Sequence, residues 1–149
     1  MKTIDSLGLL KGTFIILLAA GSLLAMSSCS KKMSFLPSTI APAAQGTVKV
    51  KTDSNKNHII DIEVFNLAEP QRLSPPKQMY LVWMLTDQNR TENIGQIITS
   101  SGTMSKSLKA SLKAVTSFQP VKVFITAEDN SNAQFPSREV VLTTKEFKK

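Results

Sequence analysis

From Gly46 onward, apolar and polar residues alternate in short runs divided by turn-forming residues. Val48 and Val50 fall on one side of Gly46–Thr52, and Lys49 and Lys51 on the other, which is the period of two of a half-buried strand. The same alternation runs through His58–Leu67, with Ile60, Ile62 and Val64 inward and Asp61 and Glu63 outward. Between them, Asp53-Ser54-Asn55-Lys56-Asn57 is turn chemistry. The loop Ala68–Lys77 carries Pro70, Pro75 and Pro76, which cannot join a central ladder. Gln78–Thr86 is apolar on both sides, and this predicts a central strand buried by a second sheet on one side. Further strands are predicted at Ile94–Ser100, Ser107–Ala114, Val121–Glu128 and Glu139–Thr144, with polar turns at Asp87–Glu92 and Asp129–Asn132. Ser107–Ala114 also fits a short helix, but its strict alternation favours a strand.

Short strands at near-regular spacing point to an all-β fold: a single Ig-like or fibronectin-like antiparallel β-sandwich of about seven strands over residues 46–149. Trp83 is its expected core tryptophan, and Met79 and Met84 read as core filling.

The amino terminus has a different pattern. Lys2 and Lys11 precede an apolar run from Thr13 to Ser28, which is short against the roughly 20 residues that span a bilayer. A basic start, an apolar run and small residues before a cleavage point make a secretory signal. Met26-Ser27-Ser28-Cys29 resembles the relaxed lipoboxes of Bacteroidetes lipoproteins, with Met26 where Leu is usual. Residues 1–28 are therefore expected to be a lipoprotein signal peptide and Cys29 the lipidated residue. Residues 29–45, with Pro37, Pro42 and several small side chains, read as a flexible tether. A diacylated or triacylated cysteine would hold the chain permanently at a membrane. Ser30 follows the cysteine where Asp would oppose outer-membrane sorting, and Lys31-Lys32 can meet anionic headgroups. The expected location is the cell envelope, on the outer membrane facing the periplasm.

Charge changes this picture little. Lys2 and Lys11 against Asp5 leave the leader at +1, so +6 of the net +7 lies in the rest of the chain. That balance fits an acidic partner, but the lysines are dispersed along strands rather than clustered. Cys29 is the only cysteine, which excludes an intramolecular disulfide and a cysteine-based metal cluster.

Catalytic chemistry is sparse. His58, the single histidine, opens a strand with no nucleophile or orienting partner marked in sequence. Asp53-x-Asn55-x-Asn57 begins like a calcium loop, but His58 stands where Gly is needed and Val64 where a bidentate Glu is needed. The segment reads as a hairpin turn. Asp61 and Glu63 project on one side of a strand, where they serve as a cation or acid/base pair or as a surface balanced by lysines opposite. The second reading is preferred. No HExxH, GxSxG or phosphate-binding glycine loop occurs. With most aromatics on apolar strand faces, nucleic acid is not an expected partner.

From Met79 onward the chain resembles the extracytoplasmic β-domain of anti-sigma-K factor proteins. The matching elements are Tyr80-Leu81-Val82-Trp83, Ile94-Gly95-Gln96-Ile97, Val123–Glu128, Phe135-Pro136 and Val140-Val141-Leu142. The resemblance covers about half the chain and implies a β-sandwich with a sensory or protein-contact role outside the cytoplasm. Only Met1–Gly12 stands where that family has its sigma-factor-binding domain, so capture of a sigma factor is not implied. The expectation is a membrane-tethered, non-enzymatic lipoprotein with no cofactor or metal. Its β-domain is expected to bind an envelope protein or surface polymer through Ala68–Lys77 and Asp129–Pro136. The alternatives are an extracytoplasmic regulatory domain, and a glycan- or cation-binding module using Asp61, Glu63 and exposed aromatics.

Overall fold

The computed structural model describes residues 30–101 and 108–147. The expected signal peptide 1–28 and lipidation residue Cys29 lie outside the described residues. Among those described, the fold is all-β: β1 (Ser30–Ser34), β2 (Gln45–Thr52), β3 (His58–Phe65), β4 (Met79–Thr86), β5 (Thr91–Ser101), β6 (Leu108–Thr116), β7 (Pro120–Glu128) and β8 (Val140–Thr143). A 3-10 turn at Pro70–Arg72 interrupts the strands. The strands form one antiparallel sheet, ordered β1-β2-β3-β6-β5-β4-β7-β8 and curled into a half-barrel.

The strand β5 makes the sheet continuous. Its first part pairs with β4 up to Tyr80↔Ile97, and its last part pairs with β6 from Ile98↔Ser111. Near the middle, Val82 faces Gly95 while Trp83 faces Asn93, leaving Ile94 as the extra residue of a bulge. Gly95 takes φ 136° there, and its N–H donates to Asn93 Oδ1 at 3.0 Å. Only glycine adopts that backbone without strain. The two outer edges approach at one point, where Phe35 bridges Thr144 and the Leu36 N–H donates to Thr143 O at 2.8 Å.

The concave side holds the core. Val48, Val50, Ile60, Ile62 and Val64 bury against Tyr80, Val82, Met84, Val123, Ile125 and Leu142. Each fully buried aliphatic of this kind contributes about 1.5–3 kcal/mol. The alternation read in β2 and β3 therefore assigns the inward side correctly. On β4 the odd positions are buried too: Leu81 and Trp83 are each 1% exposed on the face away from that cluster.

Two expectations are corrected. The strand count is eight, not about seven, and the additional strand is the start of the expected tether. Ser30–Ser34 pairs with β2 from Ser30↔Lys51 to Ser34↔Thr47. Its alternation was hidden because Lys31 and Met33 take the inward positions, opposite Val50 and Val48, and only Met33 is apolar. Residues 35–44 are built into the domain as well. Ser38 Oγ accepts the N–H groups of Ile40 (3.1 Å) and Ala41 (2.9 Å), and the Ala44 N–H donates to Ala41 O at 2.9 Å. Two of the small residues that suggested a spacer, Ala41 and Ala44, are buried in the core with Phe35.

Candidate functional site

The registers sort the molecule into two ends. Ser30, the turn Asp53–Asn57 and the end of β6 lie at one end, since Ser30 faces Lys51, Thr52 faces His58 and His58 faces Thr116. The other end carries the connections after β3 and β7. Both loops singled out in the sequence, Ala68–Lys77 and Asp129–Pro136, are at this second end, where Met79 faces Glu128.

The two loops are fastened to the sheet and to each other. The Tyr80 hydroxyl, at the inward side of β4, donates to Ala68 O at 2.9 Å. The Leu73 N–H (3.1 Å) and the Lys77 N–H (3.0 Å) both donate to Pro70 O, and the Gln78 N–H donates to Glu128 O at 3.1 Å. Lys77 Nζ then reaches Asp129 Oδ2 at 2.7 Å, joining one loop to the other. The Asp129 carboxylate beside it holds the Lys77 ammonium above the usual lysine range.

Asp129–Pro136 is pinned from beneath by a buried relay. Trp83 Nε1 donates to Thr126 Oγ1 at 2.7 Å, and Thr126 Oγ1 donates to Glu128 Oε1 at 2.5 Å. The same carboxyl oxygen accepts the Ser137 N–H at 2.8 Å. Thr126 and Glu128 are buried polar groups, and each is satisfied within this relay. Phe135, 79% exposed, sits on the loop so fixed. A groove of about 460 Å³ opens at the same end, lined by Phe35, Leu36, Pro37, Pro42 and Phe65 among others. Leu36 and Phe65 are exposed large apolar residues. Sequence reading missed this groove because it treated residues 35–44 as spacer. The outward parity of Phe65 in β3, in step with Asp61 and Glu63, was the available signal.

The remaining sequence candidates are accounted for structurally. Asp53 Oδ1 accepts the N–H groups of Asn55 and Asn57, each at 2.8 Å, so its carboxylate is used in closing the β2–β3 hairpin. This is the hairpin turn anticipated, not a calcium loop. His58 contacts Thr52 across the hairpin, with Nδ1 3.3 Å from Oγ1. Asp61 lies between Lys49 and Lys113 in register, and Glu63 pairs with Lys109 at 3.2 Å. The two carboxylates therefore form the lysine-balanced outer face that was preferred. Among the described residues no group of His, Cys, Asp and Glu is arranged to hold a metal ion. Nor, among the described residues, is any helix long and apolar enough to cross a membrane.

Compared with protein-family models, curated proteins and solved structures, the chain shows no significant match. Strands β5, β4, β7 and β8 are contiguous in the sheet.

Proposed function

We propose that this chain is a lipoprotein tethered through Cys29, whose β-domain is a non-enzymatic binding or structural module of the cell envelope. The observation that carries the reading is the joining of Ala68–Lys77 to Asp129–Pro136 by the 2.7 Å Lys77–Asp129 pair, at the end of the sheet away from Ser30. A tether at one end and fixed loops at the other present the loops outward from a membrane. Loops held by a rigid scaffold bind without the cost of ordering them first. The partner in this reading is an envelope protein or surface polymer, met on the outer membrane facing the periplasm. The curled sheet serves as an Ig-like or fibronectin-like sandwich, with β5 passing between its two halves.

A second reading, an extracytoplasmic sensory or regulatory domain related to anti-sigma factors, draws on the contiguity of β5, β4, β7 and β8. A glycan- or cation-binding module built on Asp61 and Glu63 is disfavoured, because Glu63 is paired with Lys109 and Asp61 lies between Lys49 and Lys113 in register.

Site-specific photocrosslinking in living cells tests the binding role. A photoreactive residue at Pro76, Asn132 or Phe135 should yield a common adduct that the same residue at Lys122 does not. Adducts no different from the Lys122 control would count against the loops as the contact site.

A further inference from the structure

The start of the sheet at Ser30 bears on how the domain sits. A flexible segment over residues 30–45 would hold the domain about 20–24 Å from its anchor. That exceeds the ~8 Å over which charges act at physiological ionic strength. Instead β1 begins at Ser30, the residue after Cys29. Whatever surrounds Ser30 is therefore brought within electrostatic range of the headgroups.

The registers identify those surroundings. On the outer face, the row containing Ser30 continues through Lys51, Ile59 and Val115 across β2, β3 and β6. The next row is Lys32, Lys49, Asp61 and Lys113. These two rows carry four lysines against one carboxylate. Strands lie about 4.8 Å apart and alternate rows about 7 Å apart, so Lys51, Lys32 and Lys49 fall within roughly 9 Å of Ser30, and Lys113, at roughly 16 Å, shares the face that lies flat on the headgroups. Val115, 64% exposed, stands among them as an apolar contact. One row farther along the strands the excess disappears, since Glu63 stands there and is paired with Lys109. Excess positive charge is thus concentrated at the anchored end of the face, whereas toward the loop end Glu63 offsets Lys109.

We propose that this part of the outer face, Lys32, Lys49, Lys51 and Lys113 around Val115, lies against anionic phospholipid headgroups of the membrane that holds Cys29. The proposal rests on the tethering reading above, and it fixes an orientation that tethering alone does not. The domain leans on β1, β2, β3 and β6, and its loops stay clear of the bilayer. An acidic protein or polymer covering the same face would be a different occupant.

Amine-reactive labelling of the full chain, purified from membranes and reconstituted into vesicles, tests the orientation. Vesicles of phosphatidylcholine alone are compared with vesicles that also contain phosphatidylglycerol. Peptide mass spectrometry should find Lys49, Lys51 and Lys113 labelled about fivefold more slowly on the anionic vesicles, the factor expected from roughly 1 kcal/mol per lysine. High salt should remove the difference, and Lys77 at the loop end should label equally on both. Equal labelling of the three lysines on the two vesicle types overturns the proposal and leaves the face to another occupant. Intact mass from the same preparation separates the two readings. An acylated chain without protection keeps the tether and loses the docking, and a protected but unacylated chain does the reverse.

Discussion

Replacing Thr126 by valine removes one hydroxyl with almost no change in shape, and the relay from Trp83 to Glu128 passes through that oxygen. In the native chain the hydroxyl accepts from Trp83 Nε1 at 2.7 Å and donates to Glu128 Oε1 at 2.5 Å. Trp83 is 1% exposed, so its indole N–H has no water to turn to in the variant. A buried donor left unpaired costs about 1–3 kcal/mol, and a hydrogen bond to a charged group contributes about 1.5–3 kcal/mol. Glu128 keeps the Ser137 N–H, which limits the second loss. The expected destabilisation for Thr126→Val is about 3 kcal/mol, a large share of the 5–15 kcal/mol that holds a domain together. Trp83 is the only tryptophan, so equilibrium urea unfolding followed by its fluorescence reports on the relay itself. Combined with Glu128→Ala, the effects should be non-additive by more than about 1 kcal/mol, as expected of residues in one network. A Thr126→Val variant within about 0.5 kcal/mol of wild type would refute the relay as a source of stability.

Three other perturbations probe the scaffold. Ile62→Ala, at a fully buried core position, should cost about 2–5 kcal/mol in the same unfolding assay, whereas Ile98→Ala on the exposed face should stay within about 0.5 kcal/mol. Gly46→Ala should destabilise by about 2 kcal/mol or more, because a β-carbon there collides with the Glu63 carbonyl oxygen in the β2–β3 ladder; an unchanged urea midpoint would contradict that packing. Burial pushes the Tyr80 phenol up to about 12 from 10.0, so the unfolded chain ionises first. Stability should hold below pH ~10 and fall between about 10 and 12, and Tyr80→Phe should flatten that fall; the same alkaline slope in both proteins would speak against it.

Much of the sheet was legible because period-two alternation is a direct record of a surface with one side dry. Val48, Val50, Ile60, Ile62 and Val64 all point where that pattern put them. Apolarity on both sides of Gln78–Thr86 marked the strand that is buried on both faces, including Trp83. What escaped was carried by residues whose packing does not depend on hydrophobicity. Lys31 and Met33 occupy inward positions of β1 that look unpatterned, and Ala41 and Ala44 resemble spacer residues while filling the core. The continuity of the sheet escaped for another reason. It depends on β5 changing partners after a bulge at Gly95, and one glycine in a strand does not announce which neighbours lie on either side.

At the loop end, prolines and polar turn residues located Ala68–Lys77 and Asp129–Pro136. That Lys77 and Asp129 meet is a long-range pairing invisible to local pattern. The Glu128 relay was equally hidden, since a glutamate at the end of a strand ordinarily faces water.

The most direct test of the account is the intact mass of the protein recovered from membranes, compared with its Cys29→Ala variant. The account predicts a wild-type chain that has lost Met1–Ser28 and gained the mass of acyl chains, with neither change in the variant. A full-length, unacylated wild-type chain would contradict it. The amino-terminal apolar run would then be the anchor, and the regulatory reading would take precedence over the lipoprotein one.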